Sequence, residues 1–315
     1  LLYRYFQNAA IPQITEPPMR PSIRLAGLCA GLLFSHVLWA VEALPQRWVS
    51  AGGSLTEWVV RLGGEGRLVG VDTTSQHPAR LRQLPSIGYQ RQLSAEGILA
   101  LRPDLLLGSD EMGPPPVLDQ LRAAGVRVEH LSARAELADL EANLLRIGEW
   151  LGDRPAAERV VADYRERLRG QAERVARARA EGQAPRVLLV LGHAGSGPMA
   201  AGRETVADWL IERAGGRNVA DHAGYKPLSG EALAALDPEV VVFADRSLEG
   251  DAARRALLEQ NPALAATRAV RDGRLLSLDP TLLVGGLGPR LPDSLATLST
   301  AFYPDRESPA SRPQP

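Results

Sequence analysis

The chain has 315 residues, 45% of them hydrophobic and 23% charged, with a formal net charge of −1. That length accommodates two ordinary domains, and the balance excludes an intrinsically disordered or membrane-embedded chain. Near-neutral charge without a basic stripe leaves no electrostatic footprint for nucleic acid, which is not expected as a partner.

Residues 1–18 lie ahead of Met19 and read as an upstream extension. Met19-Arg20-Pro21-Ser22-Ile23-Arg24 is a short basic head, Leu25 to Trp39 an apolar run, and Val41-Glu42-Ala43 a small-residue cleavage site. Residues 19–43 therefore read as a cleavable signal peptide, the run being shorter than the roughly 20 residues that span a bilayer. Cys29, the one cysteine, lies inside that run, and Leu28 before it does not suit a lipoprotein site. The mature chain then carries no thiol, which suits an oxidising compartment.

From Trp48 short apolar runs alternate with amphipathic stretches. Strands are predicted at Leu68–Val71, Leu105–Leu107 and Gly125–Val128, with helical spacing over Val117–Ala124. Residues 44–152 thus read as an N-terminal α/β lobe with a parallel, helix-covered sheet. Between Leu137 and Glu181 the pattern is helical throughout. Asp153 is placed to cap a helix with Pro155 in its first turn, running to about Ala180 and spanning roughly 39 Å. This interdomain helix, 153–182, is long enough to cross from one lobe to the next. Strands at Val187–Leu191, Val240–Phe243 and Leu275–Ser277 then define a C-terminal lobe over 183–303. The tail, 304–315, is rich in Pro, Ser and charge and reads as disordered. The expected fold class is α/β: two parallel-sheet lobes joined by one long α-helix, with a cleft where ligands sit.

One pattern occurs twice. Gly88-Tyr89-Gln90-Arg91-Gln92-Leu93-Ser94-Ala95-Glu96 continues through Leu101-Arg102-Pro103-Asp104 into Leu105-Leu106-Leu107. Gly224-Tyr225-Lys226-Pro227-Leu228-Ser229-Gly230-Glu231 continues through Leu236-Asp237-Pro238-Glu239 into Val240-Val241-Val242. Each copy reads as a loop bearing a tyrosine, a short helix capped by serine, a turn and a buried strand. Glu96 and Glu231 favour the dipoles of their helices by roughly 0.3–1 kcal/mol, and equally offer a symmetric pair of docking contacts.

Catalytic signatures are absent: no H-E-x-x-H, no P-loop and no paired-cysteine zinc spacing. Gly195-Ser196-Gly197 lacks the third glycine of a dinucleotide loop and the flanking glycines of a nucleophile elbow. No nucleophile–base pair marks an enzyme, and none is expected. Of the five histidines, His77, His130, His193 and His222 show no metal-ligand spacing and read as loop or packing residues. His193, in a Gly-rich loop after a strand, is the least ordinary. Tyr89 either packs its ring or supplies a phenolate. A phenol with a pKa near 10 is shifted toward phenolate by a ferric centre and a neighbouring guanidinium, such as Arg91. Phenolate oxygen is an anionic donor suited to ferric haem iron.

The run Val69-Gly70-Val71-Asp72-Thr73-Thr74-Ser75 and the segment Leu84–Leu101, with its Gly-Tyr-x-Arg-x-Leu-Ser-x-Glu-Gly core, resemble the periplasmic haem-binding proteins of bacterial haem ABC importers. The resemblance covers about 44–303. It implies the helix-hinged class III binding-protein fold, a periplasmic location and ferric haem (protoporphyrin IX) as the transported ligand. It implies Tyr89 as iron ligand, supported by Arg91 and by Arg246, and Glu96 and Glu231 as contacts to an inner-membrane ABC permease dimer with its ATPase. Tyr225 and His193 are implied as possible cleft residues, the latter in relatives that hold two haems. An outer-membrane haem receptor system is an upstream partner, and a monomer is expected. The alternative is the same fold carrying a ferric siderophore or a corrinoid, although the chain is poor in the aromatics that stack on a corrinoid.

Overall fold

A computed structural model describes residues 43–180, 182–193, 196–245 and 250–304. Apart from Ala43 and Pro304, the expected signal segment and tail lie outside the described residues.

The first sheet is four-stranded and wholly parallel, in the order β2-β1-β3-β4. Its strands are β1 (Trp48–Ala51), β2 (Leu68–Val71), β3 (Leu105–Ser109) and β4 (Arg127–Leu131). Fully buried Leu105, Leu106 and Leu107 make β3 a central strand covered on both faces. Helices α1 (Gly53–Arg61), α2 (Ala95–Ala100) and α3 (Pro115–Ala123) complete this unit. Two expectations shift here. The strand expected from Gly125 starts at Arg127, because Gly125 adopts a φ of +86° and belongs to the preceding turn. The strand β1 escaped notice because Trp48-Val49-Ser50-Ala51 has neither alternation nor a long apolar run, yet it is buried throughout.

Helices α4 (Leu137–Leu151) and α5 (Arg154–Ala180) follow. Asp153 Oδ1 accepts from the Ala156 backbone N–H at 2.9 Å, the cap that opens α5. At 27 residues α5 is about 40 Å long. Its first half faces the first sheet: Tyr164 meets Trp58 edge-on at 5.4 Å and Asp163 pairs with Arg61. Its second half faces the later part of the chain, where Gln171 Nε2 donates to Leu295 O and Arg179 to Gly215 O and Gly216 O.

The second sheet is six-stranded. Parallel strands β5 (Arg186–His193), β9 (Val240–Asp245) and β10 (Leu275–Ser277) form one side, with β7 (Arg217–Asn218) also parallel to β5. The other side adds β6 (Ser196–Ala201) and β8 (Tyr225–Pro227), both antiparallel. Ser196 therefore opens a strand, not the helix a dinucleotide loop requires. Pro227 at the end of β8 is tolerated because this is a sheet edge. Helices α6 (Val206–Arg213), α7 (Gly230–Leu236), α8 (Gly250–Gln260), α9 (Arg268–Arg271) and α10 (Leu291–Phe302) complete the chain.

One continuous apolar core runs from Trp48, Trp58 and Leu105 through α4 and α5 to Val187, Val240 and Leu295. The loop before α10 is tied to α1 and α5. Ser54 N donates to Val284 O at 3.1 Å, Trp58 Nε1 to Leu287 O at 2.7 Å and Tyr164 OH to Gly288 O at 3.2 Å.

The two sequence copies are also copies in backbone geometry. Gly88 and Gly224 both adopt positive φ, +84° and +71°, as do Arg102 and Asp237, +49° and +35°. Ser94 Oγ and Ser229 Oγ cap α2 and α7 through Gly97 N and Ala232 N. Asp104 accepts from Arg47 N at 2.9 Å, and Glu239 from Arg186 N at 2.7 Å, pinning the first strand of each sheet. The guanidinium of Arg47 reaches Leu101 O, and that of Arg186 reaches Leu236 O, each a cation at a helix C-terminus.

Candidate functional site

The segment 86–93 leaves β2 by a parallel bridge, Val71 with Ser86, and turns through Gly88. Only a residue free of Cβ takes that φ without strain. Thr73 N donates to Gly88 O at 3.0 Å, and Gln92 N closes a turn on Tyr89 O at 2.8 Å. Gly113 N donates to Gln90 O and Leu93 N to Gly113 O, lacing the turn to the segment after β3. The tyrosine therefore stands on a fixed turn. Tyr89 is half-buried, Gln90 fully buried and Arg91 exposed. An extended segment would put Tyr89 and Arg91 on one side; the chain turns here instead, because the Gln92 N–H finds its acceptor three residues back.

Arg91 Nη2 pairs with Glu111 Oε1 at 2.7 Å, and Gln90 Nε2 lies 3.5 Å from Glu111 Oε2. Burial works against the Arg91 charge, but the Glu111 carboxylate and the phenols of Tyr89 and Tyr225 raise its pKa above the usual guanidinium value. Tyr225 heads the edge strand β8, paired opposite Ala201, instead of sitting in the expected loop. Its ring is half-buried and packs against the main core.

Next to Thr73, which donates to Gly88 O, stands a buried carboxylate. Asp72 is 2% exposed; its Oδ1 accepts from Gly52 N and Ser75 Oγ, and its Oδ2 from Thr74 N and Oγ1. Four donors satisfy that charge and fix the start of α1 against the β2 loop. Gly52, at φ +125°, lies against Gln90 Oε1 and Gly285, so a side chain there meets both. Farther back, Arg290 holds Glu57 with both Nε and Nη2, Asp279 with Nη1 at 2.7 Å, and Thr281. His77 Nε2 also reaches Asp279 Oδ2 at 2.9 Å. Burial pushes the Asp279 carboxyl upward, but the Thr281 hydrogen bonds and the Arg290 guanidinium outweigh it and hold the pKa below the usual range.

Glu96 and Glu231 are exposed in the first turns of α2 and α7, at equivalent positions of the two copies. His193 ends β5, and its side chain is not among those described; Arg246 lies outside the described residues. Among the described residues no group of three His, Cys, Asp or Glu side chains gathers to hold a metal ion. Glu111, Gln90 and the Glu57–Arg290–Asp279 cluster were missed in the sequence. For Glu111 a signal existed: it is the second residue after β3, and ligands of α/β sheets gather beyond the carboxyl ends of the strands.

The model of the periplasmic binding protein family matches residues 49–282. A periplasmic haem-binding protein from Pseudomonas aeruginosa is 69% identical, with a TM-score of 0.82 over 83% of this chain and 94% of that one. BhuT, a periplasmic haem-binding protein in complex with two haems, is 40% identical, with a TM-score of 0.73 over 81% of this chain and 98% of its own. A vitamin B12-binding protein from Pectobacterium carotovorum is 26% identical over 207 residues, 65% of this chain and 73% of its own.

Proposed function

Since this chain belongs to the periplasmic binding protein family, we propose that it is a non-catalytic periplasmic carrier for ferric haem that serves an inner-membrane ABC importer. The observation that carries this reading is the half-buried Tyr89 on a hydrogen-bonded turn, two residues before an arginine whose guanidinium is anchored by Glu111. The haem-binding relative at 69% identity supports the same cargo. Tyr89 is the proposed iron ligand: a phenol on a rigid turn, with a guanidinium to stabilise its phenolate and an anionic oxygen suited to ferric iron. Arg246 is proposed to add a second positive charge. His193 remains a candidate for a second haem, which BhuT is known to hold.

In this reading 44–152 and 183–303 are the two lobes and 153–182 the helix between them, with 19–43 removed on export. Glu96 and Glu231 contact the two permease subunits, one per lobe. The lobes move little on loading, because α5 and the strap at Val284–Gly288 hold them by separate routes.

Haemin titration of the purified chain, followed by absorption, tests the cargo and the ligand together. A high-spin tyrosinate-type ferric spectrum saturating at one equivalent, and lost in Tyr89→Phe, is expected. A second equivalent brings His193 and Tyr225 into play. The relative named for vitamin B12 makes cobalamin the control. Cobalamin uptake without a haemin spectrum defeats the haem reading and leaves the fold family intact.

A further inference from the structure

Tyr89 is flanked by Gln90 and Arg91, and both side chains meet the same carboxylate, Glu111. Glu111 stands on the laced segment after β3, with its own N–H donating to Ser109 Oγ at 3.2 Å. Gln90 is fully buried, and its Oε1 has no hydrogen-bond partner. Leaving a buried acceptor unmade is unfavourable, and the geometry tolerates it while the amide N–H₂ points at Glu111. The carboxylate is therefore held from behind by Gln90 and from the front by Arg91. A guanidinium has five donors, so Arg91 can serve Glu111 with one edge and a phenolate with another. Its single charge is nevertheless divided between them.

We propose that Glu111 is a positioning residue for the binding site, a counter-charge that holds Arg91 in place and weakens the field it applies to the Tyr89 oxygen. This rests on the carrier reading above. Its consequence is a site tuned below its greatest affinity, as suits a protein that must surrender its cargo. Removing the negative charge leaves all of Arg91 to the phenolate and tightens haem. A merely structural Glu111 has the opposite signature, because losing it loosens Arg91 and weakens haem.

The test measures haemin dissociation from the full chain carrying Glu111→Gln, which keeps the shape and an acceptor for Arg91 but loses the charge. Dissociation is expected to slow by about three- to fivefold, the scale of a partly exposed charge pair. Glu111→Asp, which keeps the charge, restores the parent rate. In an Arg91→Gln background the Glu111 effect is expected to vanish. In the ligand-free chain, the Arg91 guanidinium signals in isotope-edited nuclear magnetic resonance are expected to shift in Glu111→Gln. Faster dissociation, an effect that persists without Arg91, or unaltered Arg91 signals overturns the inference while leaving the carrier reading standing. A parent chain that takes up no haemin defeats the carrier reading and this inference with it.

Discussion

The two Gly-Tyr copies share a skeleton and differ in what they present. Positive-φ glycines at 88 and 224, serine caps at 94 and 229, and acidic staples at 104 and 239 fold both the same way. After the tyrosine they part. The first copy runs Gln-Arg into a turn braced by the segment after β3, where Glu111 waits for the guanidinium. The second runs Lys-Pro into an edge strand, and its tyrosine packs toward the core. A duplicated scaffold can thus hold two tyrosines at matching positions while placing an arginine–glutamate pair beside one of them.

The sharpest way to break the comparison is to remove each phenol in turn. Tyr89→Phe is expected to weaken haemin binding by about a hundredfold or more, because it removes the proposed anionic donor to iron, and Tyr225→Phe by less than about fivefold. Equal losses in a haemin titration would make the copies functionally symmetric. The staples come next. Asp104→Ala frees two backbone N–H groups, those of Gln46 and Arg47, and is expected to cost about 2 kcal/mol in urea unfolding. Glu239→Ala frees one, that of Arg186, and is expected to cost about 1 kcal/mol. Gly88→Ala and Gly224→Ala are expected to cost about 1 kcal/mol each, since both positions require φ > 0 and neither crowds a Cβ closer than 3.7 Å. A large difference between them would show that one glycine serves the ligand instead of the chain.

The smallest effect concerns the Glu57–Arg290–Asp279 cluster. The Asp279 carboxyl is held below its ordinary pKa in the folded chain. Its contribution is therefore present at pH values above the unfolded carboxylate range and is lost as pH falls through the lowered folded value. Acid unfolding of Asp279→Asn is expected to show a shallower pH dependence below about pH 4 than the parent, with unchanged slope near neutrality.

Much of this architecture is local, and local features were legible in the sequence. The Gly-Tyr repeat, the serine caps, the Asp153 cap and the long helical periodicity each lie within a few residues of what they explain. The failures were at a distance. Arg290 meets Glu57 across 233 positions, and no spacing rule connects them. Glu111 joins Arg91 only because β3 carries the chain back beside the Tyr89 turn. The edge strand β8 was unreadable because Lys226-Pro227 has no strand signature and borrows its geometry from β6.

The strap over Val284–Gly288 also sets an order of assembly. Helix α1 receives Val284 O, Leu287 O and the Arg290 guanidinium from residues made some 230 positions later. A chain that emerges amino end first therefore exposes Trp58 and the charged Glu57 without their final partners until almost all of it has appeared. Such late, distant closure slows folding and lengthens the time spent with an open core. A product truncated before Val284 would leave α1 unclosed, marking it as unfinished for any protease that surveys newly delivered chains.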